Sequence, residues 1–249
     1  MDNLKWCIDY LLKYNKIDKF LSVYTFDSLR ALMNITMPYD LENEFYIRQD
    51  EVILSELNKY KLQDTKKFQY KNNIFIYQGD ITKLIVDAIV NACNERLLGC
   101  FYPLHSCVDN IIHSYAGLEV RRDLLKKIGD NYEEENGKCI VTNAYNLKAK
   151  YIFHTVGPNV TKLSEQDKLD LKNCYLSSLE EASRLGLNTI AFPCISTGLY
   201  NFPKDIASSI AYKTAFNYLK DHPNLNVIFS TYDMKDYLLY KKEEKKYDY

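Results

Sequence analysis

The sequence predicts an α/β protein: a three-layer α/β/α sandwich around a mixed sheet, preceded by an N-terminal helical extension. Three observations carry this reading. From about residue 70 onward, short β-branched or aromatic runs alternate with amphipathic segments, the order that builds a sheet covered by helices. Residues 139 to 156 contain two such runs with no room for a crossover helix, so the sheet is mixed rather than wholly parallel. Before residue 66 the apolar residues fall at helical spacing instead.

Taken in order, the extension spans residues 1–66. Leu4, Cys7, Ile8, Leu11 and Leu12 form one apolar stripe; Leu29, Leu32 and Met33 form a second; Val52, Ile53 and Leu57 form a third. Met37-Pro38-Tyr39-Asp40 breaks the helical pattern once, because the residue before a proline is pushed out of the α region. Residues 67–249 then form the main domain. Its strands are expected at Ile74–Tyr77, Ala88–Val90, Cys139–Val141, Tyr151–Phe153, Thr189–Phe192 and Val227–Phe229. Helical patterns lie between them at about 106–128, 166–185, 204–220 and 234–245. The lysine-rich segment from Lys241 to Lys246 reads as a solvated helix end.

The chain has 249 residues, enough to bury a full core without disulfides. Its seven cysteines form an odd set, mostly within apolar runs, and the first residues mix charge with an amphipathic pattern rather than a leader. A reducing, cytoplasmic compartment is expected. No apolar run approaches the roughly 18 residues needed to cross a bilayer. A net charge of −1 supplies no general field toward nucleic acid or membrane, so partners are expected to be chosen by a pocket.

The chemistry centres on residues 99–110. Cys100, His105 and Cys107 offer two thiols and an imidazole in a Cys-x4-His-x-Cys spacing, a donor set suited to zinc. Three ligands without a fourth nearby favour an open site. Packed core cysteines and a histidine capping a helix are the plainer account of the same residues. Asp109 and His113 share a helix face. An aspartate in a first turn commonly serves the helix dipole, but beside a metal loop Asp109 is also a candidate to orient or deprotonate a water.

Two loops look built for phosphate. The first runs from Asn94 to Tyr102 into a helix expected to open near Pro103. The second is Ser196-Thr197-Gly198-Leu199-Tyr200, between a strand and a helix starting at Pro203. Both are expected at strand carboxyl ends, where open α/β sheets bind ligands. Asp80 in Gly79-Asp80-Ile81-Thr82 either caps the next turn or accepts from the exocyclic amine of a base, with the Ile81 N–H donating to the ring.

These pieces, in this order, resemble the macrodomain family of ADP-ribose-binding modules. The likeness rests on Gly79-Asp80-Ile81-Thr82, Asp87-Ala88-Ile89-Val90-Asn91-Ala92-Cys93-Asn94, Val108-Asp109-Asn110 with Ile112-His113 and Ala116-Gly117, His154-Thr155-Val156-Gly157-Pro158, and Phe192-Pro193-Cys194-Ile195-Ser196-Thr197-Gly198. The cysteine and histidine cluster stands where most macrodomains carry glycines. It resembles the zinc-containing microbial macrodomains, as do Leu29-Arg30-Ala31-Leu32-Met33-Asn34 and Arg48-Gln49-Asp50 in the extension.

The resemblance implies a zinc-dependent protein ADP-ribosyl hydrolase that removes mono-ADP-ribose from modified side chains. It implies Zn2+ on Cys100, His105 and Cys107, and catalytic roles for Asn94 and Asp109. Asp80 and Ile81 would take adenine, Asn94 the distal ribose, and Val108, Asp109, Asn110 and Ser196, Thr197, Gly198, Leu199 and Tyr200 the diphosphate and ribose. The implied partners are ADP-ribose and a mono-ADP-ribosylated protein, with a functional link to an ADP-ribosyl-transferring sirtuin and a lipoyl carrier protein. Asn136-Gly137 in place of Thr-Gly, Lys148 where proline is common, and the absence of a cysteine downstream of Cys107 depart from the usual pattern. Two other classes stay open: a non-catalytic ADP-ribose reader, and an enzyme acting on small ADP-ribose derivatives such as O-acetyl-ADP-ribose.

Overall fold

The computed structural model describes residues 2–18 and 23–247. Residues 1, 19–22, 248 and 249 of the expected 1–66 and 67–249 units lie outside the described residues.

Three helices come first: α1 (Asn3–Tyr14), α2 (Phe26–Ile35) and α3 (Asn43–Leu57). Then follow β1 (Gln63–Asp64), β2 (Ile74–Gln78), β3 (Leu84–Ile85), β4 (Ala88–Cys93), α4 (Val108–Ala116), α5 (Leu118–Ile128), β5 (Cys139–Asn143) and β6 (Tyr151–Val156). The chain closes with α6 (Glu165–Arg184), β7 (Thr189–Phe192), α7 (Lys204–Leu219), β8 (Asn226–Thr231) and α8 (Met234–Glu244). All six expected strands are present in one sheet of order β2-β8-β7-β4-β6-β5. Five of them run parallel and β5 alone is antiparallel, paired to β6, so the sheet is mixed as its short 139–156 connection requires.

Alternation along the strands sends side chains into two cores. Ile89, Ala191, Ile152 and Ile228 join the core under α4 and α5, which continues without a break into Cys7, Ile8, Leu11, Leu29, Phe45 and Ile53 of the extension. Ala88, Val90, Ile190, Phe153 and Phe229 face the opposite core with residues of α6, α7 and α8.

Four expectations need correction. The helical pattern at 106–128 is two helices, because Gly117 adopts φ +103° and donates its N–H to the His113 carbonyl, ending α4. A Cβ at Gly117 would also stand 2.6 Å from Glu119 Oε2 and 2.7 Å from Gln49 Nε2. The helix after the first loop opens at Val108, not near Pro103, since Cys107 is its N-cap, with Sγ accepting from Asn110 N–H. The extension is also broken after Tyr14, where Asn15 caps α1. Finally, residues 58–64 are not helical: β1 pairs in parallel with β3, and Asp64 caps a 3-10 turn over Thr65–Lys67.

Candidate active site

The parallel strands all end on one edge of the sheet, and the segments that follow them wall a cleft of about 410 Å3. Gly79, Asp80 and Ile81 follow β2; Asn94 follows β4; Gly157 follows β6; Ser196 to Tyr200 follow β7. Cys100, His105, Cys107, Val108 and Asp109 close the side toward α4. Every candidate site residue named from the sequence except Asn110 therefore lines one cavity. Asn110 is buried, and its side chain donates to the carbonyls of Tyr102 (2.9 Å) and Cys100 (3.4 Å).

Asp80 caps the turn after β2, its Oδ1 accepting from Thr82 N–H (2.9 Å) and Thr82 Oγ1 (2.7 Å). Its Oδ2 faces Lys83 Nζ at 3.7 Å. Lys83 is itself buried, with its ammonium 3.5 Å from the Tyr115 ring centroid and 4.1 Å from that of Tyr60, and desolvation lowers its pKa against the pull of Asp80.

Loop one is held by its own polar groups. Asn94 Nδ2 donates to the Gly99 carbonyl (3.2 Å) while its Oδ1 accepts from Arg96 N–H (3.0 Å). Gly99 lies at φ +86°, and a Cβ there would stand 3.0 Å from the His113 ring and 3.1 Å from Arg121 Nη2. In loop two Ser196 takes a left-handed φ of +63°, and its Oγ is buried with no hydrogen-bond partner among the described residues. Thr197 Oγ1 donates to the Cys194 carbonyl (2.9 Å), and Leu199 stands 71% exposed at the cleft mouth. Burial pushes the Tyr200 phenol up to about 12.

Asp109 is in the first turn of α4 but only 4% exposed, which a role in the helix dipole alone does not require. Its Oδ1 accepts from Asn91 Nδ2 (2.8 Å) and lies 3.5 Å from His113 Nε2. Burial raises its carboxyl to about 6 against the opposing effects of Asn91 and Arg121. Burial also drives His113 well below its ordinary value, so the Asp109–His113 contact involves a neutral imidazole. Asn91 continues to His154 Nδ1 (3.3 Å), and His154 Nε2 to Thr142 Oγ1 (2.9 Å), a polar path running from the cleft into the sheet.

Cys100, His105 and Cys107 place one sulfur or ring nitrogen each within 4.8 Å of one another, all three residues half-buried. His105 Nδ1 is buried without a hydrogen-bond partner among the described residues, and burial pushes the Cys107 thiol up to about 12. Two sulfurs and an imidazole nitrogen at this spacing fit a zinc ion with an open position. The plainer account fails in one respect: it is Cys107, not His105, that caps α4.

Lys204, Tyr232, Asp233 and Asp236 also line the cleft and are not singled out by the sequence, whereas Pro193, which lines it too, falls within the Phe192–Gly198 motif. The β8 run was legible, and the rule that picked out the loops after β2, β4 and β7 reaches Tyr232 and Asp233 when applied to it. Lys204 pairs with Asp236 (2.8 Å) and Asp233 (3.1 Å) across that corner.

The architecture and its cleft define a class that comparison makes explicit. The macro domain family matches residues 90–211, from β4 into α7. The Trypanosoma brucei macrodomain in complex with ADP-ribose superposes with a TM-score of 0.67 at 28% identity, over 86% of this chain and 94% of that one. The Oceanobacillus iheyensis macrodomain with ADP gives 0.66 at 32% identity, over 72% of this chain and 95% of that one. In sequence, the protein-ADP-ribose hydrolase of Staphylococcus aureus (strain COL) is 44% identical over 219 residues, 86% of this chain and 82% of the relative. The chain belongs to the macro domain proteins of the protein-ADP-ribose hydrolase family. Among its described residues no helix is long and apolar enough to cross a membrane.

Proposed function

We propose that this chain hydrolyses the bond joining mono-ADP-ribose to a modified protein side chain, with zinc held by Cys100, His105 and Cys107. One observation carries the reading: a single cleft collects the metal cluster, the buried Asp109, Asp80 and both loops, in a chain 44% identical to a protein-ADP-ribose hydrolase. The division of labour falls near residue 66, with 1–66 as a supporting helical extension and 67–249 as the domain that carries the cleft.

Asp80 and the Ile81 N–H take the adenine edge. Loop two, from Ser196 to Tyr200, shares the cleft with the amino end of α4 at Val108 and Asp109, and the two cradle the diphosphate between hydroxyls and backbone N–H groups. Asn94 orients the distal ribose, while Asn110 acts on the loop through its bonds to Cys100 and Tyr102. Cleavage at the anomeric carbon passes through an oxocarbenium-like state, which needs a placed water and an orienting carboxylate. Asp109 supplies the carboxylate, aimed by the Asn91 amide. Zinc, when bound, supplies a Lewis acid for a ribose hydroxyl, the linkage oxygen or a water.

The test is direct. Wild-type protein given a mono-ADP-ribosylated protein should release free ADP-ribose, and adding a zinc chelator should suppress the release. Tight ADP-ribose binding with no release under any metal condition would make the chain a reader. Release confined to acetate from O-acetyl-ADP-ribose would make it a deacetylase.

A further inference from the structure

We propose that helix α2 of the extension is a working part of the metal site: it holds loop 98–107 in its ligating arrangement, chiefly through Asn34. This rests on the metal reading above. The starting point is Leu104, which directly precedes His105 and sits in the left-handed region at φ +57°. That conformation opposes a branched side chain and persists where the surroundings impose it. Here the imposing contact is one hydrogen bond, Leu104 N–H donating to Asn34 Oδ1 at 3.0 Å. Asn34 is 1% exposed, and its Nδ2 donates to Ser114 Oγ (3.2 Å) on α4, so a single amide clamps the loop between two helices.

Two further contacts work in the same direction. Arg121, fully buried, shares the two hydrogens of Nη1 among the carbonyls of Met33 (2.9 Å), Asn34 (3.0 Å) and Thr36 (2.6 Å) at the carboxyl end of α2. Its Nε donates to the Leu98 carbonyl (2.6 Å), and its guanidinium lies 4.3 Å from the Phe101 ring centroid, so the same side chain grips α2 and the loop. Arg30 Nη2, also on α2, donates to Asn110 Oδ1 (3.4 Å), and Asn110 in turn holds the carbonyls beside the first ligand. The loop that carries Cys100 and His105 is thus fixed from outside before any cation arrives. Partners that orient ligands in this way typically change metal affinity by about 10- to 100-fold when removed.

The measurement is zinc affinity of the full chain by competition with a chromophoric chelator, alongside thermal unfolding of the apoprotein. Asn34→Ala removes the acceptor for Leu104, whereas Ser114→Ala removes the other half of the clamp, with the Ser114 Oγ bonds to the Asn110 carbonyl (2.7 Å) and Oδ1 (3.4 Å), and leaves the Leu104 contact and the Asn110 bonds to the loop carbonyls in place. Asn34→Ala should weaken zinc by about tenfold or more, and Ser114→Ala by less than about twofold even where it unfolds at lower temperature. Equal losses in the two variants, or wild-type affinity in Asn34→Ala, would overturn the role of α2. If Asn34→Ala does not fold, Arg30→Met breaks the link to Asn110 from a partly exposed position; it should weaken zinc severalfold, and unchanged affinity would equally overturn the proposal. Cys107→Ala separates the two levels: if it binds zinc as wild type does, the metal reading fails first and this inference with it.

Discussion

Asp80 lines the cleft while committing one carboxylate oxygen to the turn it caps. Oδ1 is engaged by Thr82, while Oδ2 is steered by Lys83, whose ammonium is walled by Tyr60 and Tyr115. Removing the carboxylate in Asp80→Ala should cost about 1–3 kcal/mol of ADP-ribose affinity, the scale of a charge-assisted hydrogen bond, and leave ribose 5-phosphate unaffected. Calorimetry with both ligands decides, since an equal loss for the two would make Asp80 a capping residue alone. The cap itself was legible, because an aspartate before Ile-Thr at a strand end has few other uses. The Lys83 cage was not: Tyr60 follows the extension's last helix and Tyr115 sits in α4, and only the tertiary fold brings their rings onto one ammonium. The same limit hid the Asn91–His154–Thr142 path behind Asp109, whose members lie on three different strands.

Among the elements, strands and helices differed in how plainly the sequence declared them. The main strands are apolar runs because both faces of the sheet are covered by helices, so all six stood out. The α4–α5 pair did not, since their apolar positions continue one period and a lone glycine marks the break. What Gly117 makes room for is a joint between α3 and α5. Gln49 accepts from Leu118 N–H (2.9 Å) and donates to Glu119 Oε2 (2.8 Å). Burial first, then the nearby Asp50, raises the Glu119 carboxyl from an ordinary 4.5 to about 7. The native state therefore keeps a proton that the unfolded chain releases, and over this interval stability falls as pH rises. The contribution is fully present below the unfolded carboxyl's pKa and is lost through about pH 7. Glu119→Gln keeps an acceptor for Gln49 and removes the titration. Its melting temperature should fall less than that of wild type between about pH 5 and pH 8. Parallel pH profiles for the two proteins would assign the dependence elsewhere.

At the scale of the whole molecule, the carboxyl ends of five parallel strands gather residues from Gly79 to Asp236 into one cleft. The sequence showed which loops follow strands but not the order β2-β8-β7-β4-β6-β5, which depends on how helices pack across the sheet. Because β4 and β7 are neighbours in that order, the loop carrying Cys100, His105 and Cys107 shares a cleft with loop two, and Asp109 joins them two residues after Cys107; whether the cleft is a catalyst rather than a binding pocket turns on Asp109. The most direct measurement pairs ADP-ribose affinity with the rate of ADP-ribose release from a mono-ADP-ribosylated protein, in wild type and Asp109→Ala. Binding should stay within severalfold of wild type while the rate falls by about a hundredfold or more, the scale of a lost acid–base or orienting group. A loss of binding and rate in equal measure, or a rate that does not change, would contradict a catalytic Asp109.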